Sequence, residues 1–163
     1  MASTITAIVI TVSDRCAVGR RTDESGPLAA RLLRAAGVDV VAVEIVPDDV
    51  GLIRGCITGA SDRVDLVFTT GGTGVGPRDV TPEATAPLLT CEIPGVADAI
   101  RRAGLPGVPG AMLGRGLVGL TSREPDASLV VNAPGSVGGV KDAIATLVPV
   151  LGHILEQRRG SDH

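Results

Sequence analysis

Residues Leu66 to Thr85 read LVFTTGGTGVGPRDVTPEAT, and this stretch decides the fold. The apolar run Val64 to Phe68 stops at Thr69-Thr70, as a buried strand would. Gly71, Gly72, Gly74 and Gly76 follow, with Thr73 among them, and then Arg78 and Asp79. Thr81-Pro82-Glu83 has the residue types of a helix start. The order is therefore strand, glycine-rich turn, charged pair, helix. Glycine permits backbone angles that aim N–H groups at an anion. The following helix adds the positive end of its dipole. A phosphate-bearing ligand is expected here, with Asp79 placed to do chemistry or to hold a metal.

The turn is not a P-loop, because Gly76 is followed by Pro77-Arg78 where Lys and Ser/Thr are needed. Nor is it the dinucleotide fingerprint, because Gly72-x-Gly74 meets Pro77 where a third glycine is required. A tight structural connection is the competing reading. Such a connection needs neither two threonines nor an Arg-Asp pair beside four glycines.

Working outward, Thr6 to Val12 (TAIVITV) is β-branched and reads as a strand ending at Ser13-Asp14-Arg15. A polar loop follows. Gly26-Pro27 opens a helix with Leu28, Leu32 and Ala36 on one face, stopped by Gly37. Val38 to Val46 is a second strand, ending at Pro47-Asp48-Asp49. Val50, Ile53, Ile57 and Ala60 then repeat at helical spacing. The third strand runs from Val64 to Thr70, and a short helix from Pro82 to about Ala86.

Pro94 begins another helix with Val96, Ala97, Ile100 and Ala103 inward. Leu117 to Thr121 and Ser128 to Val131 are strands whose short polar link predicts an antiparallel pair. Asn132 to Ser136 is a second glycine-bearing turn. Val140 to about Gln157 closes the chain as a helix that Pro149 should kink or split. Residues 158–163 read as a frayed tail.

Strands alternating with helices predict an α/β layer fold with a mostly parallel sheet. No repeat or linker divides the chain, so one domain over 1–163 is expected. Ligands of open parallel sheets bind beyond the carboxyl ends of the strands. Four turns should meet there: Ser13 to Arg15, Pro47 to Asp49, Thr69 to Asp79, and Asn132 to Ser136.

Composition excludes several classes. A net charge of −3 and a single aromatic, Phe68, make a poor nucleic-acid binder. Cys16, Cys56 and Cys91 fit no zinc spacing and no disulfide framework, and read as reduced thiols in a cytosolic protein. Ile5 to Val12 is far too short to cross a membrane. His153 and His163 sit in the last helix and the tail, so no metal site built on histidine is expected.

Several candidates also have plain structural readings. Asp79 reads equally as a helix-dipole acid, with Thr81 as N-cap and Pro82 first in the helix. Asp48 and Asp49 read as turn and cap residues before the Val50 helix. Taken together, two carboxylates at one sheet edge can hold Mg²⁺, which prefers oxygen ligands and substrate phosphates. Arg15 would meet an anionic group with Ser13 donating to it. A solvated turn is the alternative there, and an Asx-type turn is the alternative at Asn132 to Ser136.

TTGGTGVGPRDVTPEAT resembles the signature of the Mog/MoaB family of molybdenum cofactor biosynthesis, related to the G domain of gephyrin. The likeness extends to Ser13-Asp14-Arg15, Pro47-Asp48, Ile93-Pro94-Gly95 and Asn132-x-Pro134-Gly135-Ser136. It implies a three-layer αβα fold of the MogA type, a homotrimer in the cytoplasm, and molybdopterin adenylyltransferase activity. ATP and molybdopterin, with Mg²⁺, would give adenylyl-molybdopterin and pyrophosphate. A molybdenum-insertion protein of the MoeA type would be the partner. Asp48 and Asp79 match the family aspartates and are assigned to metal binding and catalysis. Thr70, Gly71, Gly72, Thr73 and Gly74 would cradle phosphate, with Ser13, Asp14, Arg15, Arg78, Asn132, Pro134, Gly135 and Ser136 completing the pocket. A non-catalytic pterin-binding member is the alternative, which the intact Arg78-Asp79-Val80-Thr81-Pro82 opposes. The family often has Ser-Arg where this chain has Gly114-Arg115, so any contact from a hydroxyl at 114 is missing.

Overall fold

The computed structural model describes residues 4–160. Six strands form one sheet in the order β2-β1-β3-β6-β5-β4. They are β1 (Thr6–Val12), β2 (Asp39–Val46), β3 (Leu66–Thr70), β4 (Cys91–Glu92), β5 (Val118–Leu120) and β6 (Leu129–Ala133). β2, β1, β3 and β6 are mutually parallel, and β4, β5 and β6 pair antiparallel in turn. The expected antiparallel pair is therefore present. β4 is additional, because a two-residue edge pairing leaves no periodic pattern to read.

The helices are α1 (Asp14–Ala17), α2 (Ser25–Ala35), α3 (Val50–Ser61), α4 (Thr81–Thr85), α5 (Pro94–Gly104) and α6 (Val137–Arg158). Side chains alternate across the strands. Ala7, Val9, Leu66, Phe68, Leu129 and Val131 pack with α2, α5 and α6, including Leu33, Ile100, Leu147 and Leu151. Ile8, Ile10, Val67 and Val130 point the other way and pack with Ile53 and Ile57 of α3 and Ala84 of α4. Two helical layers thus sandwich the sheet, and the central strands are buried on both faces.

Some sequence expectations give way. α1 occupies part of the predicted polar loop, because Ser13 caps it by accepting from the Cys16 N–H. Ala36 and Ala103 are exposed; α2 instead buries Ala29, Ala30 and Leu33. Pro149 does not split α6, which runs unbroken for 22 residues. Pro149 lies on the exposed side, so the ring meets solvent, while Leu147, Leu151 and Leu155 hold the helix to the sheet. α6 is long and apolar enough to cross a bilayer by length and composition, yet its apolar face is spent on this core.

The chain end is not frayed at Arg158. Its side chain is 3% exposed and pairs with Asp65 at 2.8 Å, and it also donates to the Ala127 carbonyl. Residues 161–163 lie outside the described residues.

The register brings the predicted turns together. Val12 pairs with Val46, Thr11 with Thr70, and Thr70 with Ala133. Ser13, Pro47, Gly71 and Pro134 therefore leave the sheet side by side.

Candidate active site

Gly71 and Gly72 turn the chain out of β3 at φ of 103° and 66°, where other residues are strained. A Cβ on Gly71 would lie 2.3 Å from the Val12 carbonyl oxygen, so β1 and this turn touch through backbone. A Cβ on Gly135 would lie 3.1 Å from the Gly71 Cα, so the two glycine turns also touch. Thr81 does not cap α4. It is fully buried and its Oγ1 donates to the Gly71 carbonyl at 2.9 Å, while its N–H donates to the Gly72 carbonyl at 3.0 Å. α4 thereby locks the glycine turn from beneath. The Gly71 N–H is already given to the Ala133 carbonyl at 3.1 Å.

The two aspartates of the Pro47-Asp48-Asp49 turn divide their work. Asp49 caps α3 by accepting from the Leu52 N–H at 2.9 Å. Asp48 faces the cleft and accepts from the Asp14 N–H at 2.8 Å, while its own N–H donates to Asp14 Oδ1 at 2.9 Å. Arg78 then grips Asp14 Oδ2 through Nε at 3.0 Å and Nη2 at 2.6 Å. Arg78 is thus engaged with Asp14 rather than held apart for an anion. Asp79 accepts the Gly76 N–H at 2.9 Å.

Charge follows this geometry. Burial pushes the Asp48 carboxyl above its ordinary value of 3.8, and the negative charges of Asp14 and Asp79 add to the rise. The Asp14 amide and Arg78 oppose it. Asp14 moves the other way, held below its ordinary range first by the Arg78 hydrogen bond and then by the Asp48 amide.

A cleft of about 490 Å³ opens over these groups. It is lined by Ser13, Asp14, Arg15, Asp48, Thr70, Gly71, Gly72, Asp79, Gly135 and Ser136, among others. Of the remaining candidates, Thr73, Asn132 and Pro134 line a neighbouring apolar cavity of about 230 Å³, which shares Ser136 with the cleft. Gly74 packs against the Asp79 carboxylate. Asn132 is buried and donates to Thr69 Oγ1 and Thr85 Oγ1 while accepting from the Leu117 N–H. Its side chain ties β3, α4 and the start of β5 together.

Asp23 and Ser25 were not singled out from sequence, yet both line the cleft. Asp23 accepts from Thr11 Oγ1 at 2.7 Å and from the Gly26 N–H at 3.0 Å. The signal was available, since Asp-x-Ser-Gly before an apolar helical run marks a helix start. Gly114 has φ −65° and ψ 129°, which any residue can adopt.

Among the described residues, no three His, Cys, Asp or Glu side chains are grouped to cage a metal. Asp48 and Asp79 line one cleft, and the charge of one acts on the other. Asp48 and Asp79 would offer Mg²⁺ two oxygen donors, and that ion takes one or two carboxylates and fills its octahedron with water and phosphate oxygens.

A family model described as "Probable molybdopterin binding domain" matches residues 8–153. The chain belongs to this family. It is 38% identical over 158 residues to a molybdenum cofactor biosynthesis bifunctional protein of Synechococcus elongatus, covering 96% of this chain and 48% of that protein. It is 40% identical over 151 residues to the molybdenum cofactor biosynthesis protein B of Bacillus anthracis, covering 90% and 86%. A molybdopterin biosynthesis protein of Mycobacterium abscessus superposes with a TM-score of 0.87 at 46% identity, covering 94% and 95%. The chain spans about half the length of the Synechococcus relative. The molybdopterin-binding fold is thus shared over nearly the whole chain.

Proposed function

We propose that this protein is a molybdopterin adenylyltransferase that carries AMP from ATP to molybdopterin and releases pyrophosphate. One observation carries the reading: Asp48 and Asp79 line the same cleft in which the two glycine turns touch. The cleft and the apolar cavity share Ser136, which suits two substrates meeting at a boundary.

In this reaction a phosphate oxygen of the pterin forms a bond to the α-phosphorus of ATP. The bond from that phosphorus to the α–β bridging oxygen breaks, and the electron pair leaves with pyrophosphate. The pterin phosphate is already anionic, so no side chain has to remove a proton. The obstacle is repulsion between two anions, and catalysis rests on positioning and electrostatics. Mg²⁺ bound by Asp48 and Asp79 would supply positive charge at the phosphates. The glycine turns let the phosphates approach the backbone closely, and the Asp14–Asp48 clasp holds one carboxylate at the wall. Arg78 keeps Asp14 in that clasp.

The sheet edge offers a further surface. Val41, Val43 and Ile45 are exposed along β2. A homotrimer is the assembly proposed, and a monomer by sedimentation at micromolar concentration would contradict it. The bifunctional relative motivates a molybdenum-insertion protein of the MoeA type as partner. Turnover tests the activity: ATP, Mg²⁺ and molybdopterin should yield adenylyl-molybdopterin with matching pyrophosphate. Pterin binding without either product would favour a non-catalytic binding protein.

A further inference from the structure

Arg115 follows the helical turn Pro109–Leu113, outside the glycine loop that it contacts. Its N–H donates to the Thr73 carbonyl at 2.8 Å. Its Nε donates to the Gly74 carbonyl at 2.8 Å, and its Nη2 to the Asp79 carbonyl at 2.8 Å. The same guanidinium holds Glu83 of α4, with Nη1 at 2.5 Å and Nη2 at 3.4 Å. One residue therefore gathers three carbonyls of the glycine loop and a carboxylate of the next helix.

Between those carbonyls the chain has one other tether, the Arg78–Asp14 pair at the surface. Val75, Pro77 and Arg78 are exposed, so no core packing fixes the arch from 75 to 78. Inside the arch, the Asp79 N–H donates to the Gly76 carbonyl at 3.0 Å, and the Gly76 N–H donates to Asp79 Oδ2 at 2.9 Å. Those two bonds place the carboxylate relative to the arch. The guanidinium places the arch, because it spans both of its feet, Gly74 and Asp79. Only a planar fork with several donors can do this; a lysine ammonium offers a point charge on a flexible stem.

We propose that Arg115 is a positioning residue that holds the Asp79 carboxylate at the cleft wall by bracing both feet of the glycine loop. Gly114 and Gly116 on either side of it line the apolar cavity. Its consequence for rate rests on the adenylyl-transfer reading, but its consequence for the loop does not.

The test compares wild type, Arg115→Lys and Arg115→Ala by amide hydrogen exchange and by turnover. In both variants the hydrogen-bonded amides of the arch, Gly76 and Asp79, exchange at least about tenfold faster, while those of α2 and α6 keep their protection. kcat falls by about 100-fold in Arg115→Ala, the size of a 1 Å misplacement, with little change in KM for ATP. Lysine restores little of the rate, whereas millimolar guanidinium added to Arg115→Ala restores part of it. Unchanged exchange at Gly76 and Asp79, or a lysine variant at the wild-type rate, overturns the proposal. A wild type that forms no product defeats the activity reading alone, and the exchange result then decides the role of Arg115.

Discussion

The Asp14 N–H donates to the Asp48 carboxylate at 2.8 Å, and the Asp48 N–H returns a bond to the Asp14 carboxylate at 2.9 Å. This reciprocal clasp joins the ends of β1 and β2. It needs both backbone amides but only one negative oxygen from each side chain. Asp48 thus keeps a second oxygen for the cleft.

Asp48→Asn should retain the clasp, because an amide oxygen still accepts from Asp14. Turnover should fall by about 100-fold or more, the scale on which a charge-stabilising group contributes. The folded pKa of Asp48 lies above 3.8, so its ionised form is disfavoured by folding, and its contribution to stability declines as pH rises through that range. The asparagine variant should therefore melt at the wild-type temperature or higher at pH 7. A lower melting temperature with unchanged turnover would make Asp48 a structural residue.

Arg158 is a stability residue remote from the chemistry. Arg158→Ala leaves Asp65 with only the longer Arg159 pair at 3.9 Å and the two Thr6 hydrogen bonds, and should cost about 2 kcal/mol in urea unfolding, with turnover per folded molecule unchanged. For Asp65, burial raises the pKa, but the Arg158 and Thr6 hydrogen bonds outweigh it and hold it below 3.8. Its contribution is full above pH 3.8 and is lost as pH falls through the lower folded value. The variant should therefore show a flatter loss of stability below about pH 4. An acid limb as steep as that of wild type would count against the pair.

Gly71→Ala tests the close approach at the head of the glycine turn. The substitution meets both a φ of 103° and the Val12 carbonyl at 2.3 Å. Strain of this kind costs about 1–3 kcal/mol before the clash is added. Marked destabilisation in thermal melting is expected. Wild-type melting would mean that the turn relaxes freely.

Cys56 donates to Glu44 at 3.1 Å, and burial, then the Glu44 bond and charge, push its thiol up to about 12. Its thiolate fraction at pH 8 is then roughly one in ten thousand. Iodoacetamide at that pH should leave Cys56 unmodified in the folded protein, as read by peptide mass spectrometry. Rapid alkylation at Cys56 would contradict the half-buried Cys–Glu contact.

The layered fold was legible because the central strands are continuous β-branched runs and the glycine turn ends one of them sharply. The convergence of four turns was legible from the rule for parallel sheets, and the register of β1, β2, β3 and β6 agrees with it. What escaped was long-range and polar. Nothing in the sequence says that Arg78 seeks Asp14, 64 positions earlier. Nor does it say that Arg115 reaches Gly74, or that Arg158 is drawn in by Asp65. Arginine is usually solvated, so a partner is visible only once the chain is folded. Thr81 looked like a cap for a similar reason: its hydroxyl has a local option, and the glycine turn supplied a better-placed acceptor.

Label transfer tests the adenylyltransferase reading most directly. ATP carrying label in the α-phosphate, incubated with Mg²⁺, molybdopterin and the wild-type protein, should place that label on the pterin. Pyrophosphate should appear in equal amount, and both products should vanish with chelator or in Asp79→Asn. Bound pterin that acquires no label under saturating ATP and Mg²⁺ would contradict it.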